Sequence, residues 1–349
     1  MIPEVPRNRH FRKYLNRIDR NRQYSNFGPL NEELRIRISK YVNCDPKNIV
    51  TVNNATIGIQ GAIETSNLLN NSVGDGWTVP SWTFAATVCS VENAGVEYSF
   101  SDTDQEWRIE LKKDFKGVVD VLPFGDKINI NRFNNKVEQI VIDGAASFDS
   151  IRNCGEILNS KSALIVSLHA TKLMPAGEGA FFYSPNTEWC ELFRSWTTFG
   201  FVSDRNSQFV GTNGKLNEFS AAVALSSFDK WEITRKRYKE ISRKALEISS
   251  QHNLNVSNAM RNGFATPYWI VECDSPEKKS QLSSLLRKEN IPYRDWWEMG
   301  CHRMRAFSHV PRENLTRTEF LASVTLGMPF HLRLSKNYWR QIERIFSEI

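Results

Sequence analysis

The stretch SLHATKLMPAGEGA, residues 167–180, places a lysine between two short apolar runs and follows it with a glycine-containing return. The runs at 163–167 and 179–183 predict two strands, so Lys172 lies in the connection between them. A lysine amine in a dry pocket can lose its proton and condense with an aldehyde. Glycines let the backbone pass close to a flat ligand. The stretch therefore predicts a reactive lysine at the edge of a β-sheet.

Short apolar runs alternate with helical patterns along the first two thirds of the chain, which is typical of an α/β fold. One strand ends at 51–53, and three more are predicted at 77–80, 118–122 and 140–142. Ligands of open α/β sheets bind at the carboxyl ends of the strands. Polar or reactive residues follow the predicted strands at 54–56, 81–87, 143 and 167–172.

Asp143 directly follows the apolar run at 140–142 and precedes the small residues 144–146. By position alone, an aspartate there would most simply cap a helix. The small residues that follow leave room for a bulky planar group beside the carboxylate. We therefore expect Asp143 to face a ligand.

Two further segments suggest ligand contacts, each with a structural alternative. Residues 54–56 end a strand and begin the helical pattern at 57–69, and a helix N-terminus attracts anions. The Thr56 hydroxyl could add to a phosphate site, although an ordinary cap would look the same. In SWTFAAT, residues 81–87, Trp82 and Phe84 could both lie in the core, or one could stack on a flat ring.

The C-terminal third predicts a second, smaller unit. A long helical pattern at 217–249 precedes a predicted strand at 267–271, and further helices are predicted at 275–289 and from 337 onward. We expect a large domain at 1–235, which includes the N-terminal segment, and a smaller C-terminal α/β domain at 236–349.

Composition limits the class of protein. The 349 residues carry a net charge of +6 with basic residues scattered rather than concentrated in one stripe, which argues against a nucleic-acid partner. No apolar run approaches the roughly 18 residues of a membrane span. The six cysteines are widely spaced and the six histidines show no HExxH pattern. We therefore expect a cytoplasmic protein with reduced thiols, no membrane partner and no metal site.

Read in order, these motifs resemble those of the DegT/DnrJ/EryC1/StrS nucleotide-sugar aminotransferases, which have the aspartate-aminotransferase fold. The most specific match is 167–180, which resembles the family's SFHxTKxxxxGEGG. The other matches are YSNFGPL (24–30), NATIGI (54–59), VPSWTFAAT (79–87), VIDGAA (141–146), GTNGKLNEFSAA (211–222) and TLGMPFH (325–331). The resemblance implies fold type I of the enzymes that depend on pyridoxal 5'-phosphate (PLP). Its large domain has a mostly parallel mixed sheet flanked by helices.

The resemblance also implies a role for each matching residue. Lys172 would hold PLP covalently and later transfer protons, and Asp143 would pair with the pyridine nitrogen. Phe84 would stack on the ring. The other implied cofactor contacts are Ala55, Thr56 and Ser167 at the phosphate, His169 beside the cofactor, and Asn213 at the phosphate of a neighbouring subunit. The active sites would therefore be shared within a homodimer.

The implied substrates are an NDP-keto-sugar and an amino donor, which is glutamate in this family. Candidate substrate contacts are Asn26, Gly28, Trp296 and His302. The leading substrate is dTDP-4-keto-6-deoxy-D-glucose, aminated for O-antigen or other surface-polysaccharide synthesis, and 3-keto sugars remain open.

Three departures from the family pattern, Ala55, Ala146 and Ala180, indicate a divergent subgroup. A PLP-dependent sugar dehydratase is an alternative, but such relatives commonly carry histidine in place of the lysine. An inactive PLP-binding regulator is another, and the presence of both Lys172 and Asp143 argues against it.

Overall fold

A seven-stranded sheet forms the centre of the larger part of the protein. The computed structural model describes residues 2–70, 76–133, 136–297 and 299–349. The strands are β1 (Ile49–Val52), β2 (Trp77–Pro80), β3 (Tyr98–Ser101), β4 (Phe115–Val121), β5 (Val137–Asp143), β6 (Ser162–Ser167) and β7 (Ala180–Tyr183). Their order is β1-β7-β6-β5-β4-β2-β3, and β7 runs antiparallel to both of its neighbours, β1 and β6, whereas the other described pairings are parallel. The predicted mostly parallel mixed sheet is confirmed.

Helices cover both faces of this sheet. They are α1 (Asn8–Asn21), α2 (Pro29–Val42), α3 (Ala55–Leu69), α4 (Ala85–Asn93), α5 (Thr187–Trp196), α6 (Glu218–Phe228) and α7 (Trp231–Gln251). Successive side chains of a strand point to opposite faces. In β6, Leu164 and Val166 join the core beneath α2 and α6, whereas Ile165 joins the core beneath α3 and α5. Burial on both faces explains why residues 163–166 of β6 form a continuous apolar run.

A smaller antiparallel sheet lies in the C-terminal part, with the order β10-β9-β8. Its strands are β8 (Asn255–Val256), β9 (Trp269–Glu272) and β10 (Thr325–Met328), and the accompanying helices are α8 (Asn258–Arg261), α9 (Pro276–Lys288), α10 (Thr316–Val324) and α11 (Lys336–Ser347). Residue 235, the predicted domain boundary, lies inside α7, so the division at that point stays a prediction. Within the described residues, no helix is both long and apolar enough to cross a membrane.

The long helical pattern at 217–249 is two helices rather than one, because the chain turns between α6 and α7. Asp229 at this break binds groups from the N-terminal helices, which the sequence did not predict. Its carboxylate accepts hydrogen bonds from the Tyr14 hydroxyl at 2.9 Å and from Arg37 at 2.7 Å, and Lys13 lies 2.8 Å away. These partners are about 200 residues away in sequence, so periodicity could not reveal the break.

A buried ion pair between Arg108 and Asp120 of β4 gives a stability prediction. Both side chains are almost fully buried, and Arg108 also donates to the Lys127 carbonyl at 2.9 Å. Replacing Arg108 with methionine leaves the Asp120 carboxylate buried without its counter-ion. We expect the free energy of unfolding to fall by about 3–5 kcal/mol in urea titrations. Lys47→Met, which removes an exposed pair with Asp45, should change it by less than about 1 kcal/mol. Equal changes in the free energy of unfolding for Arg108→Met and Lys47→Met would contradict a stabilising role for the buried ion pair.

Candidate active site

A cavity of about 600 Å³ opens at the carboxyl ends of β5 and β6. It brings together eight of the residues that the sequence singled out: Ala55, Thr56, Phe84, Asp143, Ser167, His169, Lys172 and Trp296. Ligands of α/β sheets bind at this edge because parallel strands end there together.

The lysine lies in the connection that turns β6 back into the antiparallel β7. The Leu168 N–H donates to the Gly179 carbonyl at 2.8 Å, and the Ala170 N–H donates to the Gly177 carbonyl at 2.8 Å. Gly177 and Gly179 have φ values of +86° and +154°, which side chains with a Cβ rarely adopt. The two glycines therefore allow the return that directs Lys172 into the cavity.

Asp143 ends β5 and is only 8% exposed. Its carboxylate accepts hydrogen bonds from the Thr87 hydroxyl at 2.7 Å and from the Ala145 N–H at 3.0 Å. Burial raises the pKa of Asp143, and the hydrogen bond from Thr87 opposes that shift. A cation placed in the cavity would favour the charged carboxylate. The site is therefore suited to a ligand with a protonated ring nitrogen.

The N-terminus of α3 offers an anion site at another part of the cavity. The Asn54 side chain caps the helix by accepting from the Ile57 N–H at 2.9 Å. The N–H groups of Ala55 and Thr56, in the first turn, have no acceptor within the helix. Together with the hydroxyls of Thr56 and Ser167, they can bind a phosphate.

The two aromatic residues of the 81–87 segment have opposite environments. Trp82 is 1% exposed and packs edge-on against Trp107 and Trp297, so it belongs to the core. Phe84 is 56% exposed and lines the cavity. Only the Phe84 ring, of these two, is available to a flat ligand.

These features match the chemistry of PLP group by group. The buried carboxylate of Asp143 suits the pyridine nitrogen, the helix N-terminus suits the phosphate, and the Lys172 amine suits the aldehyde. Within the described residues, Lys172 and Asp143 do not form an ion pair, and both line the cavity. The residues present therefore fit PLP.

Four residues predicted as ligand contacts do not line this cavity. His302 is buried, and its Nδ1 atom lies 2.7 Å from the Ser81 hydroxyl, so its ring supports the segment before Phe84 instead. Gly28 lies against the Glu218 side chain, whose carboxylate accepts from the N–H groups at the start of α2. The other two are exposed on the surface of this chain: Asn26 and Asn213.

An aromatic wall, formed by Phe124, Tyr268 and Trp297 with the predicted Trp296, closes one side of the cavity. Phe124 and Trp297 stack with their centroids 4.3 Å apart, and Tyr268 contacts Trp296 edge-on. Tyr268 also accepts a hydrogen bond from the Lys172 amine at 2.9 Å. These residues come from the loop after β4 and from the C-terminal part, so no local motif marks them. In the sequence, the adjacent tryptophans 296 and 297 were the one feature that pointed to this wall.

The chain is similar to known proteins over nearly its whole length. It is 23% identical over 371 residues to the dTDP-4-amino-4,6-dideoxy-D-glucose transaminase of Shigella dysenteriae, covering 99% of this chain and 97% of that protein. A DegT/DnrJ/EryC1/StrS aminotransferase from Brucella abortus has a TM-score of 0.82 at 20% identity, covering 98% of this chain and 95% of that one. DesI, solved in the presence of its TDP-sugar product, has a TM-score of 0.81 at 23% identity, covering 99% and 90%. These structures share the fold.

The model of one family matches residues 7–347, which include the lysine connection, the buried aspartate and the phosphate turn. Both the predicted family and the predicted cofactor are confirmed. The chain belongs to the DegT/DnrJ/EryC1/StrS aminotransferase family, whose enzymes use PLP.

Proposed function

We propose that this chain is a nucleotide-sugar aminotransferase that uses glutamate as its amino donor and an NDP-keto-deoxysugar as its acceptor. One observation carries the proposal: the Lys172 amine and the Asp143 carboxylate face one cavity that has an aromatic wall. The amine and the carboxylate serve the cofactor. The aromatic faces of Trp296 and Trp297 offer an apolar surface to a deoxysugar ring or a nucleobase.

The cavity lining supports a set of residues that would hold PLP. The N–H groups of Ala55 and Thr56 and the hydroxyl of Ser167 would bind its phosphate, and Phe84 would cover one face of the ring. Asp143 would keep the ring nitrogen protonated. When bound, PLP supplies an aldehyde carbon that carries the amino group and a ring that accepts the electron pair of the broken C–H bond.

Lys172 would have two tasks in each cycle. Its amine would hold the cofactor between turnovers, and the amine freed by the donor would act as the base. It would take a proton from the α-carbon of glutamate and deliver one to the carbon that held the aldehyde oxygen. In the second half-reaction the same amine would move protons in the opposite sense for the keto sugar. Geometry supports this because Lys172 lies in the cavity lining.

For the acceptor we propose dTDP-4-keto-6-deoxy-D-glucose, whose product would be an amino sugar for O-antigen or other surface-polysaccharide synthesis in the cytoplasm. The names of two relatives support this choice: a transaminase of dTDP-4-amino-4,6-dideoxy-D-glucose, and DesI with its TDP-sugar product.

We further propose that the enzyme is a homodimer. Apolar side chains are exposed on and near the segment 199–213, where Val202 and Val210 are 63% and 88% exposed. Exposed apolar patches of this kind mark protein–protein contacts. Asn213 lies at the end of this segment, so a second copy covering it would also receive that side chain.

The purified enzyme, loaded with PLP, tests the proposal with glutamate and a panel of NDP-keto sugars. We expect glutamate to change the cofactor absorbance, and mass spectrometry to show an amine in place of the carbonyl oxygen of the dTDP-4-keto sugar. Amination of only a 3-keto sugar would contradict the acceptor. A cofactor band that is indifferent to glutamate would contradict the donor, and no amination with any donor would contradict the function.

A further inference from the structure

The Lys172 amine has a hydrogen-bond partner in the C-terminal part, at the residue directly before β9. Lys172 Nζ donates to the Tyr268 hydroxyl at 2.9 Å, across 96 residues of sequence. The amine also lies 5.4 Å from the centroid of the tyrosine ring. This is the one hydrogen bond of the Lys172 side chain within the described residues.

Tyr268 is held rigidly at this position. The residue is 7% exposed, and its ring contacts those of Phe124 and Trp296 edge-on, with centroid distances of 5.6 and 5.5 Å. Its N–H donates to the Thr266 hydroxyl at 3.2 Å, and that hydroxyl donates to the Phe124 carbonyl at 2.7 Å. The segment before β9 is thereby fastened to the loop that follows β4. The phenol oxygen is therefore fixed in place, whereas the lysine amine is carried on a flexible stem of four carbons.

We propose that Tyr268 is a positioning residue that aims the Lys172 amine at the cofactor carbon. A catalytic group must be oriented closely before it reacts well, and a long flexible side chain does not achieve this alone. By accepting one N–H, the phenol restricts where the nitrogen can lie and leaves its reactive side toward the cavity. Packing of the segment before β9 against the loop after β4 thus completes the lysine site.

A packing role makes a different prediction. The tyrosine ring would still fill the aromatic wall if the hydroxyl were removed, because Phe124 and Trp296 contact only the ring. Tyr268→Phe therefore removes the hydrogen bond and keeps the packing. Tyr293→Phe is the matched control: it makes the same chemical change in the C-terminal part, where the hydroxyl accepts from Arg287 at 2.7 Å.

The test measures how fast cofactor-free protein captures PLP. The Lys172 amine condenses with the aldehyde carbon, so that a C=N bond forms, water leaves and an absorbance band develops. At saturating PLP, we expect this rate constant to fall about 10-fold in Tyr268→Phe, the order expected for one hydrogen bond. The value of kcat for amino transfer should fall similarly, with KM for glutamate nearly unchanged. The melting temperature of Tyr268→Phe should match that of the wild type. Tyr293→Phe should match the wild type in every readout.

The inference rests on the proposed use of Lys172 with PLP. The experiment distinguishes a failure of the positioning role from a failure of the proposed function. If the wild-type protein captures no PLP, the proposed function fails. Wild-type capture with an equal rate in Tyr268→Phe overturns the positioning role alone. An equally slowed PLP capture in Tyr268→Phe and Tyr293→Phe also overturns it. So does a slowed capture in Tyr268→Phe that comes together with a lowered melting temperature.

Discussion

Lys172→Ala is expected to lower kcat for amino transfer by about 10⁴-fold, the upper end of the range for loss of a general base. Lys172 is the one lysine among the described residues that line the cavity, so no neighbouring amine can replace it. The covalent absorbance band should disappear, while noncovalent binding of PLP persists through the phosphate site. Stability should change by no more than about 1 kcal/mol, since the side chain makes a single hydrogen bond.

Two variants control this result. Lys172→Arg keeps a donor for Tyr268, but a guanidinium stays protonated and cannot condense with an aldehyde. It should therefore be as inactive as the alanine variant. Lys116→Ala, which removes an exposed lysine of β4, should leave activity and the band unchanged. A covalent band that survives in Lys172→Ala would show that another amine holds PLP.

Asp143→Asn is expected to have opposite effects on activity and on the stability of the cofactor-free protein. Activity should fall by at least about 10²-fold, because an uncharged amide cannot hold the ring nitrogen protonated. The cofactor-free variant should melt at a higher temperature than the wild type at about pH 8. The reason is that burial disfavours the charged form of the wild-type carboxyl group, which the unfolded chain adopts at that pH.

The sign of the pH dependence follows from the raised pKa of Asp143, which burial causes. Above the ordinary carboxyl pKa, the folded state binds more protons at this site than the unfolded chain does. Stability from this group is therefore complete at acid pH and is lost as pH rises through the folded-state pKa. The advantage of Asp143→Asn should shrink as the pH is lowered toward the ordinary value, about 4.

The surrounding hydrogen bonds can accept the amide. The asparagine oxygen can still accept from the Ala145 N–H, and its NH₂ group can donate to the Thr87 hydroxyl. Thr87 can then donate to Thr83, since their hydroxyl oxygens lie 3.0 Å apart and either can be the donor. Thermal unfolding of the cofactor-free proteins across the pH range measures the effect.

Asp149→Asn is the contrasting control. This buried carboxylate is bonded to Arg235 and accepts from the Ala265 N–H at 2.7 Å, so its replacement should lower stability. A cofactor-free Asp143→Asn protein that is folded but less stable than the wild type at about pH 8 would refute the account of Asp143. Activity like that of the wild type would refute its role with the ring nitrogen.

Much of the large sheet and of the cofactor side of the site was predictable from the sequence. Residues 163–166 of β6 are all apolar because helices cover both faces of the strand. Gly177 and Gly179 mark the return beside Lys172 because their φ angles exclude most other residues. Asn54 and the residues after it have the pattern of a helix N-terminus. Each signal is contained in a few consecutive residues, so the local sequence is sufficient to read it.

The rest depends on contacts between distant segments. Asp229 breaks a continuous helical pattern because it binds α1 and α2. Neighbouring aromatics separate into a buried Trp82 and an exposed Phe84 because the C-terminal part packs on only one of them. Tyr268 meets Lys172 because the segment before β9 packs against the loop after β4. The sheet, the lysine and the carboxylate were predictable because their patterns are local. The side chains that close the cavity were not, because packing between elements far apart in the chain places them.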